Sequence, residues 1–283
     1  MTETALDGIR DEALHVRVLR VGNVVIDRGW NFQNITGGFW RCYRNQDAGA
    51  AVTVHGQRHA LVPGRLHLIP PWLHFSCSCT GQVRSLYLHL DATGLPSSLV
   101  QRLMPRPLAL AADPLLDQLC IRLADRLSTQ RGDEQHAPKT DTLALACQAK
   151  ALAFQLFTSL IGNLPASGAA LWLDHVQGRS QVSGALAWIE DYLDQPMDNA
   201  SLARYCGLSE GQFIRNFSRI IGQTPARYIQ ERRLARAGGR LLHGDEDIER
   251  IALDCGFANR FHFSRVFIRR FGIGPAGYRA RRG

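Results

Sequence analysis

A pattern that occurs twice in the last hundred residues constrains this 283-residue chain more than any other feature. The first copy consists of Leu202, Ala203, Cys206, Gly207, Phe213, Arg215, Phe217, Gly222, Pro225 and Tyr228, and the second of Ile251, Ala252, Cys255, Gly256, Phe263, Arg265, Phe267, Gly272, Pro275 and Tyr278. The offset is 49 residues up to the first glycine and 50 after it, so the second turn is one residue longer. Two short helices joined by a glycine turn are typical of a helix-turn-helix, and a tandem pair suits two neighbouring major grooves of DNA.

The basic residues are nearly all arginine and are unevenly distributed. The chain has 33 basic and 25 acidic residues, for a net charge of +8, and only Lys139 and Lys150 are lysines. Seven arginines and no acidic residue occur from Arg260 onward. This block favours a polyanion as a partner, and the alternative interpretation is a solvated basic tail.

Composition also bears on where such a protein works. Residues 1–10 contain acidic residues and no apolar run, so we expect no signal peptide. No stretch approaches the roughly 18 apolar residues of a membrane span, so we expect no membrane partner. Seven cysteines without a regular framework favour a reducing cytoplasm. Cys77 and Cys79 would share one face of a strand, where they either pack or bind a metal or respond to redox state.

Residues 14–95 have the pattern of β-structure. Short apolar runs such as 39–43, 65–69 and 85–90 are bounded by Gly, Pro, Asn and Asp, which predicts a barrel or a sandwich.

Helical spacing of apolar residues begins at Asp113. One helix is predicted after Pro114 and a second over residues 141–160. These two helices either cover the barrel or form a dimer interface. Residues 163–184 are rich in Gly, Ser, Ala and Gln, and we predict the interdomain linker there.

Everything beyond Ser183 is predicted to be helical. Helix starts are expected at Asp198, at Ser209 with Gln212 as a capping box, at Thr224 before Pro225, at Asp247 and at Asn259. Helix ends are expected at Gly222, Gly244 and Gly272. Gly238 and Gly239 fall inside the long helix that links the two units, where the helix either packs closely or bends.

The second helix of each unit must bury one face and present the other to DNA. Phe213, Phe217 and Ile220 are the predicted core of the first unit, and Phe263, Phe267 and Phe271 that of the second. Arginine on the opposite face can bridge O6 and N7 of guanine, and Gln212 can pair with adenine. Helix N-termini and flanking polar or basic residues would hold phosphates: Ser209, Arg219, Thr224, Arg260, His262, Arg269 and Arg270.

These motifs resemble the DNA-binding domain of the AraC/XylS family of bacterial transcription regulators across residues 184–283. The similarity includes Gly207-Leu208-Ser209, Tyr228-Ile229, Gly256-Phe257, Phe263-Ser264-Arg265-Val266-Phe267 and Tyr278-Arg279. The resemblance implies two units joined by a long helix, each reading one major groove. By motif position it implies base contacts from Gly211, Ile214 and Arg215 in the first unit and from Phe261, Ser264 and Arg265 in the second. Gly211 and Phe261 depart from the family pattern, since one has no side chain and the other is apolar.

The N-terminal half is similar to the cupin-like effector domain of the same family. Residues 61–71, with Pro63-Gly64 and Pro70-Pro71, resemble its turn-strand-turn signature. The histidine pair HxH of metal-binding cupins does not occur, and Trp72 stands where that motif has glycine. We therefore expect no metal, no cofactor and no catalytic residues.

The predicted fold class is α+β with two domains, an N-terminal cupin-like β-barrel with following helices and a C-terminal all-α double helix-turn-helix. We expect a cupin-like effector-binding domain over 1–112, a helical dimerisation or cover segment over 113–163, a linker over 164–183 and the DNA-binding domain over 184–283. Candidate effector-binding residues are Trp40, Tyr43, Trp72, His74 and Tyr87. The resemblance also implies that residues 1–15 can cover this pocket.

The predicted function is a cytoplasmic, sequence-specific transcription regulator that responds to a small-molecule effector. The expected partners are double-stranded DNA, the effector, RNA polymerase and a second copy of the chain in a homodimer, with activation as the expected effect. One alternative is a cupin-type metalloenzyme fused to a DNA-binding module. Another is an effector-independent DNA-binding protein whose barrel only dimerises.

Overall fold

The computed structural model describes residues 15–93, 97–129, 139–170, Trp172 and 181–281. A β-rich part with helices is followed by an all-helical part, so the predicted α+β class with two domains is confirmed. Residues 1–14, for which a covering role was expected, lie outside the described residues.

Two antiparallel sheets face each other in the N-terminal part. The strands are β1 (His15–Ile26), β2 (Phe32–Ile35), β3 (Trp40–Asn45), β4 (Ala50–Val54), β5 (Gln57–Ala60), β6 (Leu66–Ile69), β7 (Phe75–Cys79), β8 (Val83–Thr93) and β9 (Leu108–Ala109). One sheet has the order β1-β8-β3-β6-β9 and the other the order β2-β7-β4-β5. The apolar side chains between them include Val52, Ile69 and Phe75. Cys77 and Cys79 are buried in this interior, where their thiols donate to backbone carbonyls of Trp30 and Gly81.

Helices cover the outer face of the five-stranded sheet. They are α1 (Ser97–Leu103), α2 (Pro114–Thr129), α3 (Lys139–Gly162) and a short α4 over residues 166–170. Trp40 of β3 contacts Phe157 of α3 edge to face, with ring centroids 5.6 Å apart. Of the two roles expected for these helices, covering the barrel is therefore observed.

The apolar helix α3 corrects one expectation. Residues Asp141–Gly162 are long and apolar enough to cross a membrane by length and composition, so the prediction that no stretch approaches a span is wrong. Their apolar side chains have a role inside the fold, because Leu152, Leu156 and Phe157 are buried in the cluster beneath the sheet. A core helix of this kind passes the same test of length and hydropathy.

Part of the predicted linker packs onto this helical layer. Residues 166–170 are helical, and Trp172 is buried in the same cluster as α2 and α3. Residues 171 and 173–180 lie outside the described residues.

The C-terminal part contains seven helices over the described residues 181–281. They are α5 (Ser183–Asp191), α6 (Asn199–Tyr205), α7 (Glu210–Ile221), α8 (Pro225–His243), α9 (Ile248–Asp254), α10 (Arg260–Phe271) and α11 (Pro275–Arg279). One apolar cluster joins α5–α7 to the start of α8, and a second joins the rest of α8 to α9–α11. The predicted core residues Phe213, Phe217, Phe263 and Phe267 have no exposed surface, which confirms that each repeat forms its own core.

The helix boundaries follow the predicted caps with one exception. Side chains of Asp198, Thr224, Asp247 and Asn259 accept hydrogen bonds from backbone amides in the first turns of α6, α8, α9 and α10. Ser209 occupies the N-cap of α7, but its side chain forms no capping hydrogen bond, so the predicted capping box is wrong. Gly222 and Gly272 end α7 and α10 in the left-handed region, with φ of 77° and 71°.

Helix α8 is continuous through its two glycines. A Cβ atom at Gly238 would lie 3.5 Å from the Phe271 ring of α10. Because this is an ordinary van der Waals distance, an alanine would fit at Gly238, and a close contact does not account for the glycine.

Candidate functional site

Helix α7 presents a polar face on the side opposite its core. Gly207, at φ 66°, makes the turn between α6 and α7 without a steric penalty. Gly211, Gln212, Arg215 and Arg219 are exposed on α7, and Ile214 is half-buried between the polar and apolar faces.

Helix α10 repeats this arrangement with more positive charge. Phe261 is 85% exposed, which is unusual for so large an apolar side chain and leaves it free to meet a thymine methyl group. Arg260, Arg265 and Arg269 are exposed, while His262 and Ser264 are half-buried.

Arg215 and Arg265 occupy the same place in the two units. Each follows the first core phenylalanine by two positions, and both are exposed while Phe213 and Phe263 are fully buried. Because residues two apart on a helix point in different directions, burial of one directs the other outward. The two units therefore offer an arginine at equivalent points of equivalent helices.

Expected phosphate-contacting residues surround these two faces. Ser209 and Thr224 are exposed at the N-termini of α7 and α8. Arg270 differs from its neighbours, because its guanidinium carbon lies 3.8 Å from the ring centroid of Trp72 in the barrel. The Nη2 atom of Arg270 also lies 3.9 Å from the Oε1 atom of Glu231. Arg270 is thus directed toward the barrel in this arrangement.

The expected effector-binding residues do not form a single group. Tyr43 and Tyr87 line one cavity of about 70 Å³ at the end of the barrel that faces α8. Trp40 belongs to the core beneath α3 and lines a second cavity of about 30 Å³ together with Trp72, whereas His74 is exposed. Trp72 has a left-handed backbone with φ 65° and packs in the cluster of α8 and α10, where its ring lies 5.7 Å from that of Phe271.

Comparison with known proteins identifies the helical part. A family profile described as a helix-turn-helix domain matches residues 202–281. The regulatory protein SoxS of Escherichia coli is 36% identical over 100 residues, which cover 35% of this chain and 94% of SoxS. The chain belongs to the AraC/XylS family of transcription regulators.

Two further comparisons concern the match to a second regulator and the overall fold. The transcriptional activator RhaS of Escherichia fergusonii is 34% identical over 96 residues, and the match spans 34% of each chain. The structure of ToxT from Vibrio cholerae is similar over 96% of this chain with a TM-score of 0.50 and 12% identity, which shows a shared fold. This AraC-family chain is therefore a DNA-binding transcription regulator.

A buried ion-pair network joins the two domains of the regulator. Arg232 of α8 donates to both carboxylate oxygens of Asp91 on β8, at 2.9 and 2.5 Å. It also donates to Glu190 of α5, at 2.6 and 3.0 Å. Burial alone would raise the pKa of Asp91, but Arg232 and Arg17 outweigh it and hold the pKa of this carboxyl below its ordinary value. Asp91 is thus charged and paired at neutral pH.

The C-terminal end of the regulator also docks on the barrel. The Tyr278 hydroxyl donates to the carbonyl oxygen of Thr36 at 2.7 Å, and Arg281 donates to that of Asn34 at 2.6 Å. Sequence analysis did not predict Arg232 or Tyr278 as interdomain residues. Their partners lie 141 and 242 residues away in the chain, and no local pattern signals contacts of that range.

Proposed function

We propose that this regulator binds DNA through α7 and α10 together and that a small molecule bound by the barrel changes its affinity for DNA. The observation that carries this proposal is the pair of exposed arginines, Arg215 and Arg265, at matched positions of two helices whose opposite faces are buried. The family assignment supports the same role for both helices.

We assign the contacts with DNA bases and the contacts with DNA phosphates to different residues of the two units. The proposed base contacts come from Gly211, Gln212, Ile214 and Arg215 of α7 and from Phe261, Ser264 and Arg265 of α10. The proposed phosphate contacts come from Ser209, Arg219, Thr224, Arg260, His262 and Arg269. Arg270 joins this second group only if it leaves Trp72, so its contact with phosphate requires the barrel to move relative to α10.

Selection of DNA fragments by the full chain tests this assignment. We expect genomic fragments recovered with the purified protein to share one sequence with two conserved segments. The variant carrying Arg215→Ala and Arg265→Ala should recover fragments in which the base pairs read by these two arginines are no longer conserved, while a variant with Arg28→Ala on an exposed barrel turn should behave like the original protein. Recovery of the same sequence by the double variant would contradict the proposal.

We also propose a division of the chain into functional segments. We propose effector binding within residues 1–112, a helical cover over 113–163, a linker over 164–183 and DNA binding within 184–283. Because Trp172 is buried in the same cluster as α2 and α3, we propose that the segment that connects the two domains begins after this residue. For the effector we propose Tyr43 and Tyr87, which line one cavity, Trp40 and Trp72, which line a second one, and the exposed His74.

A homodimer is proposed through the outer face of α2 and α3. Leu115 and Ile121 of α2 and Leu143 and Phe154 of α3 are about half exposed or more, at 52%, 49%, 66% and 49%. Exposed apolar residues concentrated on two adjacent helices favour a protein contact. Sedimentation of the full chain should give a dimer that Leu143→Asp with Phe154→Asp dissociates, and a monomer at all concentrations would refute it.

The remaining partners and the cellular effect are also proposals. RhaS is named as an activator, and we propose activation through RNA polymerase in the cytoplasm for this regulator as well. Transcription from a selected DNA site with purified polymerase should rise on addition of the protein, and a fall would assign repression instead.

A further inference from the structure

The cavity between the domains contains a buried positive charge. Arg41 of β3 is only 3% exposed, and its Nη1 atom has no hydrogen-bond partner among the described residues. Within that part of the chain Arg41 forms no ion pair with a carboxylate. Burying a charge without a partner is costly, so a group of this kind points to a missing counter-charge.

Two aromatic rings offset only part of the cost of burying the positive charge of Arg41. The guanidinium carbon of Arg41 lies 4.1 Å from the ring centroid of Phe39 and 5.3 Å from that of Phe75. Contacts between a cation and aromatic faces are favourable but weaker than a hydrogen-bonded ion pair. The donor atom Nη1 has no partner among the described residues, and Arg41 is one of the residues that line the cavity.

The cavity around Arg41 is positive and partly aromatic. Its volume is about 70 Å³, and Arg20, Arg41 and Arg281 line it without any acidic residue. Trp30, Phe32, Tyr43, Phe75 and Tyr87 supply aromatic surface on the barrel side. Burial lowers the pKa of His89 well below its ordinary value, and the nearby charges of Arg41, His243 and Arg20 lower it further.

In a neighbouring groove of the same protein, acidic side chains neutralise the positive charge of the arginines. This groove of about 360 Å³ lies between β1 and α8. Three arginines, Arg17, Arg236 and Arg240, line it together with three acidic residues, and Arg17 and Arg240 pair with Asp91, Glu246 and Asp254. The positive charge of that groove is thus neutralised by the protein itself, whereas the charge of the smaller cavity is not.

We propose that the cavity binds a small apolar monocarboxylate, with its carboxylate on Arg41 and its apolar part against Trp30 and Tyr43. This inference rests on the proposed effector response and names the chemical class of the effector. A cavity of 70 Å³ holds on the order of five water molecules, which sets the ligand at roughly six non-hydrogen atoms in this arrangement. A guanidinium suits this class because it binds a carboxylate through two parallel hydrogen bonds.

Both domains contribute to the walls of this cavity. Leu242, His243, Tyr278 and Arg281 come from the DNA-binding domain, and the remaining lining comes from the barrel. A ligand here contacts both partners of the interdomain contact, so its binding energy depends on how they are arranged. Unequal affinity for two arrangements is the condition for an effector to change DNA binding.

Calorimetric titration of the full chain tests the proposal with matched acids and amides. The probes are butanoate and pentanoate, with butanamide and pentanamide as neutral analogues of the same shape. We expect the acids to bind roughly 10- to 100-fold more tightly than the amides, since a charge-assisted hydrogen bond is lost in the amides. Arg41→Met should remove this preference, while Arg84→Met on the exposed face of the adjacent strand β8 should leave it unchanged.

Stability of the ligand-free variant separates binding from folding. Because Arg41 is a buried charge without an ionic partner, Arg41→Met should leave the melting temperature unchanged or raised. Equal binding of acid and amide to the unmodified protein would overturn the proposal, as would undiminished acid binding by Arg41→Met. Absence of acid binding at millimolar concentrations would overturn it as well.

Affinity for DNA is measured separately from ligand binding, so that failure of the carboxylate inference and failure of the proposed effector response can be distinguished. If a neutral compound binds and changes affinity for DNA while the acids do not bind, the carboxylate inference fails and the effector response stands. If the acids bind through Arg41 without changing affinity for DNA, the site stands and the effector response fails.

Discussion

Arg265 is the residue whose role in sequence recognition is most sharply defined. It is exposed on α10 directly opposite a fully buried core, and no acidic residue follows Arg260 in the chain. Arg265→Ala should cost about 1–3 kcal/mol on the selected DNA site and relax the choice at one base pair. Binding to a panel of single-base variants of that site measures both effects, with Arg28→Ala as the control. A loss that is equal on all sequences would assign Arg265 to a phosphate.

Protonation of His89 should affect the stability of the whole protein. Because the pKa of His89 is lowered in the folded chain, the unfolded chain binds the proton first as the pH falls. Stability should therefore decrease as the pH falls below about 6.5, by up to roughly 1.4 kcal/mol per pH unit for this group. Urea unfolding at a series of pH values measures this slope.

The variant His89→Gln isolates that contribution. It should flatten the decrease in stability without abolishing it, since burial also lowers the pKa of His67 and His74. The groups that face His89 are Arg41, Arg20 and His243, and all three favour its neutral form. A slope equal to that of the unmodified protein would show that His89 titrates normally.

At the scale of single helices, the two recognition helices differ in how they begin. The Asn259 side chain accepts a hydrogen bond from the amide of His262 at 2.8 Å, whereas Ser209 at the start of α7 makes no such bond. Asn259→Ala should cost about 1 kcal/mol of stability, and Ser209→Ala only a few tenths. Equal losses in urea unfolding would contradict the difference in capping.

The helices of the C-terminal domain were predictable because their signals are local. Asp198, Thr224 and Asn259 each bond to the amide three residues further along the chain, and Gly222 and Gly272 each need only their own backbone conformation. The capping box at Ser209 and Gln212 failed because it needs two side chains in reciprocal positions.

The cavity that holds Tyr43 and Tyr87 was only partly predictable. Both lie on strands and were selected as aromatic residues, but so were Trp40 and Trp72. Trp40 packs beneath α3 and Trp72 packs on α10. Which face of a barrel strand a helix or a second domain will cover depends on contacts between distant parts of the chain, and residue type does not specify it.

At the scale of the whole molecule, Arg232 holds the two domains together. Arg232→Ala would leave Asp91 buried and, apart from Arg17, without its charge partner, which typically costs about 3–5 kcal/mol. We expect a clearly lower melting temperature in calorimetry than for Arg227→Ala, an exposed residue of the same helix. Equal melting temperatures would show that this network contributes nothing to the interdomain contact.

The central claim is that α7 and α10 contact one DNA duplex together, and hydroxyl-radical footprinting of the full chain on its selected site tests it most directly. Two protected segments are predicted on one face of the duplex, with centres about 10–10.5 base pairs apart, one helical turn of roughly 34 Å. A single protected segment, or two segments on opposite faces of the duplex, would contradict it.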